Sequence, residues 1–152
     1  MSDPARYVLT STWSVDASVG AVWAVFEAFV DAPDPFAWWP DLVVRARDDD
    51  VVHVVTRSAL GYRLRFRLHS LWTAELQQIG FAADGDLRGS GTAVLAAAER
   101  GTTVRIEWVV APTRTWMRWT TPLLRPVYVA AHRRVMRRGE LALQQWLAPG
   151  GA

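Results

Sequence analysis

The segment YRLRFRLHSLW, residues 62–72, alternates between two kinds of side chain with a period of two. Such alternation is typical of a β-strand with one face toward a core and the other toward solvent. The mostly apolar face comprises Tyr62, Leu64, Phe66, Leu68, Ser70 and Trp72, and the opposite face comprises Arg63, Arg65, Arg67 and His69. This segment therefore predicts one strand of a sheet that buries a single face.

Strand signals recur on both sides of this segment, and turns of hairpin length connect most of the strands after residue 41. Consecutive hairpins produce an antiparallel sheet. The predicted strands are Tyr7–Val15, Leu42–Arg47, Val51–Ser58, Tyr62–Trp72, Gln77–Ala83, Leu87–Ala98 and Val104–Val110.

Two short helices are predicted between the first and second strands. Ser18 is a suitable N-cap for an amphipathic helix that starts at Val19. Asp34 followed by Pro35 predicts a second short turn of helix, which Pro40 ends.

A long helix is predicted at the C-terminal end of the chain. From Leu124 onward, apolar residues form one broad stripe, and a one-faced helix of this kind must bury its stripe against the sheet. Its start is ambiguous, because Thr121-Pro122 is a good N-cap pair while Pro126 fits a restart of the helix. Pro149-Gly150 is predicted to end it.

Length and composition favour one globular domain over residues 1–152. The chain is long enough for a sizeable core, and about half of its residues are apolar. Charges or prolines interrupt every apolar run before it reaches the length of a membrane span, and the N-terminus lacks a basic-then-apolar signal. These features predict a cytoplasmic protein without stable membrane insertion.

Missing residue types exclude several mechanisms. All 17 basic residues are arginine, and without lysine the chain cannot form a Schiff base. Without cysteine it has no thiolate nucleophile or thiolate metal ligand. The three histidines, His53, His69 and His132, lie on separate elements, so no metal site is predicted, and no phosphate-binding loop occurs. No cofactor is expected.

Tryptophan is the compositional outlier, with nine residues in a chain of 152. A small core needs one or two. The excess indicates flat side chains that line a pocket or meet a hydrophobic partner.

The order of elements resembles the helix-grip plan of the SRPBCC, or START-like, superfamily. The first strand and helix (Trp13-Ser-Val15, Ala17-Ser-Val19, Val22-Trp23) and the segment Ala37-Trp-Trp-Pro40 are similar to that family's N-terminal half. Gly85-Asp-Leu-Arg-Gly89, Gly101-Thr-Thr-Val104 with Trp108, and His132–Glu140 resemble the later strands and last helix of its bacterial polyketide cyclase/dehydrase-like branch.

The resemblance implies an α+β fold like that of START domains and birch-pollen allergens. In that fold a curved antiparallel sheet wraps around a long C-terminal helix and encloses an apolar cavity. The branch includes aromatases, cyclases and lipid carriers, so the resemblance predicts the fold but not the chemistry. None of the family's catalytic residues can be assigned to a position in this sequence.

The presumed inner face and the C-terminal helix supply the candidate cavity residues. They are Trp13, Trp38, Trp39, Tyr62, Phe66, Trp72, Trp108, Tyr128 and Met136. Trp38 and Trp39 either close the cavity mouth and stack on a ligand ring, or pack the preceding segment onto the sheet. Gly139 lies on the same helical face, where a Trp from the sheet is expected to approach it closely.

His132 is the one candidate catalytic residue. It lies within the apolar stripe of the last helix, where an imidazole could act as a general acid or base, or orient a ligand carbonyl. The alternative is a structural histidine that is hydrogen-bonded to a strand or to a neighbouring side chain.

Two surface patterns have less specific interpretations. Trp116, Trp119 and Leu123 are predicted to cap the end of the cavity, with contact to a membrane or a partner protein as the alternative. The stripe of Arg63, Arg65, Arg67 and His69 is predicted to be a solvated outer face and not a nucleic-acid surface, since its aromatic neighbours alternate to the other side.

The sequence therefore predicts a protein that binds a hydrophobic, ring-containing small molecule. One form of this hypothesis adds cofactor-independent cyclase, aromatase or dehydratase chemistry, with His132 moving a proton. The other form is a carrier or sensor of a lipid or other hydrophobic metabolite. Several convergent polar groups in the cavity would favour the catalytic form.

Overall fold

The computed structural model describes residues 5–57 and 61–148, which form a seven-stranded antiparallel sheet and two helices. The strands are β1 (Tyr7–Val15), β2 (Leu42–Asp48), β3 (Val51–Arg57), β4 (Arg63–Ala74), β5 (Gln78–Gly85), β6 (Leu87–Ala98) and β7 (Gly101–Pro112), and the helices are α1 (Val19–Asp31) and α2 (Thr115–Trp146). The predicted α+β helix-grip fold is confirmed. Ser58 and Pro149-Gly150, which the sequence placed at a strand end and a helix end, lie outside the described residues.

The spatial order of the sheet is β1-β7-β6-β5-β4-β3-β2. Every strand after β1 pairs with its neighbour in sequence, and β7 also pairs with β1, so that the first strand lies beside the last. The sheet is curved, and we call the face turned toward α2 the inner face.

The segment between α1 and β2 contains a turn where the sequence predicted a second short helix. Ser18 caps α1 as expected, because its Oγ accepts a hydrogen bond from the Ala21 amide at 3.1 Å. After α1, the side chain of Asp34 accepts a hydrogen bond from the Phe36 amide at 3.2 Å. This Asx turn competes with helical hydrogen bonding, so the chain continues as turns to residue 40.

Helix α2 begins at Thr115, several residues before either start that the sequence favoured. It contains both Pro122 and Pro126. A proline inside a helix removes one backbone hydrogen bond and destabilises it by about 3 kcal/mol. Burial of side chains on the early turns, Met117 and Thr121 among them, opposes that loss and explains why the helix extends through both prolines.

Helix α2 packs closely against two indole rings at Gly139. A Cβ atom built on Gly139 would lie 2.5 Å from Cε2 of Trp39 and 3.0 Å from Cζ2 of Trp13. The close approach of a Trp predicted from the sequence is therefore present, and it involves two Trp residues. Glycine is required here because any side chain would overlap an indole ring.

We expect Gly139→Ala to lower the free energy of unfolding by about 1–3 kcal/mol, because the new methyl group overpacks the contact with Trp39. Gly20→Ala is the matched control, since a Cβ at that helical position meets only Ser18 Oγ, at 4.0 Å. Urea denaturation of both variants is the measurement. Equal stability of Gly139→Ala and wild type would mean that the helix packs on the sheet with another face.

Candidate functional site

A cavity of about 210 Å³ lies between α2 and the inner face of the sheet. Of the residues proposed from sequence, those in its wall are Trp38, Trp39, Tyr62, Phe66, Trp108, Tyr128, His132 and Met136. The structure therefore brings residues from four separate segments of the chain around one space, and most of the wall is apolar.

Sequence reasoning missed part of this wall. Val25, Phe26 and Phe29 of α1 contribute to it, as do Ile79 and Phe81 of β5. The signal for the β5 pair was available, because Ile79 and Phe81 alternate with glycine and alanine in a predicted strand. The contribution of α1 follows from its position beneath the sheet, which periodicity alone cannot provide.

Trp13 packs behind the cavity wall. Only 2% of its surface is exposed, and it is not among the lining residues. Its ring contacts Trp39 edge-on at a centroid distance of 5.3 Å and Trp38 at 6.2 Å. The sequence placed Trp13 on the correct face, but Trp38 and Trp39 lie between it and the cavity.

Trp72 lies on the outer face, contrary to the sequence prediction. A β-bulge shifts the pairing of β4 with β5, so that Ser70 pairs with Phe81 but Trp72 pairs with Gly80. A bulge inserts one extra residue, and the side chains beyond it change face. Trp72 is 44% exposed, and a Cβ built on Gly80 would lie 2.5 Å from its indole ring.

Trp38 and Trp39 form a fixed wall of the cavity. Their rings stack at a centroid distance of 5.3 Å, and both are buried. Nε1 of Trp38 donates to the Pro35 carbonyl at 3.1 Å, and Nε1 of Trp39 donates to the Val135 carbonyl on α2 at 3.3 Å. Because both indoles are hydrogen-bonded and packed, they present rigid apolar surfaces to the cavity.

His132 lies in the wall with its ring centroid 6.2 Å from that of Trp108. Its Nε2 is buried and has no hydrogen-bond partner among the described residues. Burial lowers the pKa of His132 to about 4, so the imidazole is neutral at physiological pH. The structural alternative from the sequence required a protein partner, and Nε2 has none in the part of the chain that the structure describes.

The other side chains of the wall that carry polar atoms are Tyr7, Thr56, Arg57, Tyr62, Trp108 and Tyr128. Arg57 is the charged residue among them, and it is largely exposed to solvent. Nε1 of Trp108 and Oγ1 of Thr56 are likewise buried without a partner among residues 5–57 and 61–148. The hydroxyl group of Tyr128 is engaged with Oγ1 of Thr120 at 2.6 Å. The arrangement can hold an apolar molecule, but none of the described residues brings a carboxylate to the wall.

Trp116, Trp119 and Leu123 do not form the predicted cap. Trp119 and Leu123 are 83% and 81% exposed. Of the three, Trp116 reaches a cavity residue, with its ring 5.4 Å from that of Tyr62. Within α2, Trp119 and Leu123 project into solvent, whereas Trp116 is partly covered by its contact with Tyr62.

The remaining surface prediction concerns the arginine stripe of β4. Arg63, Arg65 and Arg67 are exposed on the outer face, and Arg67 pairs with Asp84 at 2.6 Å. Within the described residues, no cluster of three His, Asp or Glu side chains could hold a metal ion, and no helix is long and apolar enough to cross a membrane.

Comparisons with known proteins identify the fold. No family model and no curated protein matches the chain. Among solved structures, it is similar to TTHA0849 from Thermus thermophilus, with a TM-score of 0.67 and 18% identity over 93% of this chain and 100% of that one. A START superfamily protein from Mycobacterium smegmatis gives a TM-score of 0.65 at 15% identity, over 93% and 96% of the two chains.

The di-domain ARO/CYC protein BexL from the BE-7585A biosynthetic pathway gives a TM-score of 0.67 at 16% identity. The match covers 95% of this chain and 51% of that one. At these identities the similarity establishes the START-like helix-grip fold and leaves the ligand open.

The lowered pKa of His132 predicts a loss of stability in mild acid. The unfolded chain binds a proton at His132 near pH 6.5, whereas the folded chain does so only near pH 4. As pH falls through this range the unfolded state gains a proton first, so the free energy of unfolding decreases by about 3 kcal/mol from this residue.

Urea denaturation between pH 7.5 and 4, on wild type and His132→Gln, measures this contribution as the difference between the two curves. We expect the wild type to lose more stability than the variant as the pH falls. Parallel curves would show that His132 is hydrated in the folded protein.

Proposed function

We propose that this START-like helix-grip domain, spanning residues 1–152, binds a small hydrophobic ring compound as a carrier or sensor. The observation that carries the proposal is the cavity between α2 and the sheet, whose wall consists mainly of aromatic and aliphatic side chains. Transfer of apolar surface from water into such a space is favourable by about 25 cal/mol per Å². The hydrogen-bonded indole rings of Trp38 and Trp39 present flat surfaces to the cavity, which favours ligands with flat rings.

The cavity volume supports a ligand of one or two rings. An apolar cavity of about 150 Å³ accommodates benzene. The cavity found here has a volume of about 210 Å³. It exceeds the benzene-binding cavity by less than the space that a second benzene would need. A bicyclic aromatic compound is therefore a suitable probe, and larger polycyclic molecules would require the wall to move.

The polar groups of the wall favour binding over catalysis. His132 is the candidate general base, and an effective base has a pKa near the operating pH. A pKa of about 4 makes this imidazole a weak base at neutral pH. The likeness to an ARO/CYC structure concerns the fold, and cyclase or dehydratase chemistry in this chain would need polar groups beyond those in the wall.

Filling the cavity tests the proposal. Ala131 lies in the wall, whereas the adjacent Ala130, about 100° further around α2, is exposed and lies outside the wall. Ala131→Phe places a ring in the ligand space, so we expect the affinity for naphthalene to fall about tenfold or more, while Ala130→Phe leaves it unchanged. Saturable quenching of Trp fluorescence by naphthalene is the measurement.

Melting temperatures of both variants establish that they are folded. Three results would contradict the proposal: no saturable quenching of the wild type across a panel of one- and two-ring compounds, equal affinities of the two variants, or a larger effect at Ala130.

A further inference from the structure

The first turns of α2 expose a stripe of large apolar side chains. Trp119 is 83% exposed and Leu123 is 81% exposed, with Trp116 at 45% and Val127 at 38%. The spacing of these residues places all four on one face of the helix. We call them the apolar stripe.

This stripe lies opposite the face that α2 buries. Met117, Thr121 and Tyr128 are buried against the rest of the protein, and the centre of this buried face is offset from the centre of the stripe by more than a quarter turn of the helix. The beginning of α2 is therefore apolar on two sides. A helix that is hydrophobic on all sides is normally buried, so the exposed side is expected to meet a hydrophobic partner.

The charge of α2 indicates the nature of that partner. Between residues 114 and 138 the sequence contains seven arginines and no aspartate or glutamate. Arg134 and Arg137 continue the stripe along the same face and are exposed, and Arg133 is exposed beside them. Within the described residues, Arg133 and Arg134 have no acidic partner, and Arg137 is 4.0 Å from Glu140.

We propose that this face of α2 docks reversibly on an anionic lipid surface, with the apolar stripe entering the headgroup region and the arginines contacting lipid phosphates. Tryptophan is enriched at membrane–water interfaces. Arginines near an anionic bilayer are attracted to it electrostatically. The combination of exposed indoles, an exposed leucine and exposed arginines on one helical face matches the requirements of interfacial helices.

The docking face is connected to the cavity wall. The ring of Trp116 contacts Tyr62 at a centroid distance of 5.4 Å, and the Tyr62 ring contacts Tyr128 at 6.3 Å. Both tyrosines line the cavity. A lipid surface in contact with Trp116 would thus be separated from the cavity wall by the Trp116 side chain. The docking proposal itself does not depend on which ligand, if any, the cavity holds.

Vesicle co-sedimentation tests the proposal with the full chain. The vesicles consist of phosphatidylcholine alone or of equal parts of phosphatidylcholine and phosphatidylglycerol. We expect the wild type to sediment with the mixed vesicles and much less with the neutral ones. The double variant Trp119→Ser/Leu123→Ser should lower the partition coefficient about tenfold or more, because both side chains lose their apolar contact with lipid.

Leu71→Ser is the matched control, since Leu71 is 53% exposed on β4 and outside the stripe. It should bind vesicles like the wild type. Arg134→Gln/Arg137→Gln should weaken binding to the mixed vesicles selectively. All three variants change exposed side chains, and their melting temperatures verify folding.

Three results would overturn the proposal. The wild type does not bind the mixed vesicles, or the stripe variant binds them as well as the wild type does. The third is a concentration-dependent dimer in analytical ultracentrifugation that the stripe variant abolishes while vesicle binding is absent, which would assign the face to a second copy of the chain.

Discussion

The contact between Gly139 and the two indoles of Trp13 and Trp39 determines how α2 lies on the sheet. Without a side chain at Gly139, the helix approaches within van der Waals distance of both rings. The Trp39 indole also donates a hydrogen bond to the Val135 carbonyl, one turn earlier on the same helix. One aromatic cluster therefore joins β1, the segment before β2 and α2. The cavity lies directly beside this cluster, because Trp39 also forms part of its wall together with residues of the preceding turns of α2.

Small residues in the wall contribute to the volume of the cavity. Ala93 on β6 and Ala131 on α2 both lie in the cavity wall, where larger aliphatic side chains would fill it. Gly91 acts similarly, since a Cβ there would lie 2.7 Å from Cζ of Phe81. The ring of Phe81 can therefore lie over Gly91 and meet that of Trp108 edge-on at a centroid distance of 5.9 Å. The small residues leave this space unfilled, and the packed aromatic rings oppose its closure.

Periodicity predicted the fold well because each strand alternates and each connection is short. The errors arose where one local event changes the side-chain face. The bulge after Ser70 turns Trp72 outward, and no residue in that segment signals a bulge as glycine would. The start of α2 was missed because Pro122 and Pro126 normally mark a helix boundary. Tertiary burial of the early turns overrides that local preference. The exclusion of Trp13 from the wall depends on which rings cover it, and a linear pattern carries no such information.

Unpaired polar atoms do not by themselves distinguish the cavity from the core. The indole nitrogens of Trp13 and Trp23 are also buried without a partner among the described residues, and neither residue lines the cavity. Each such group destabilises the folded state by about 1–3 kcal/mol wherever it lies. His132 differs because the free-energy cost of burying its imidazole depends on whether the ring is protonated. Burial lowers its pKa for this reason. An imidazole kept neutral in an apolar wall avoids the larger desolvation penalty of a buried charge. The same wall then remains compatible with an uncharged, hydrophobic ligand, which is why the environment of His132 supports a binding cavity more strongly than a catalytic one.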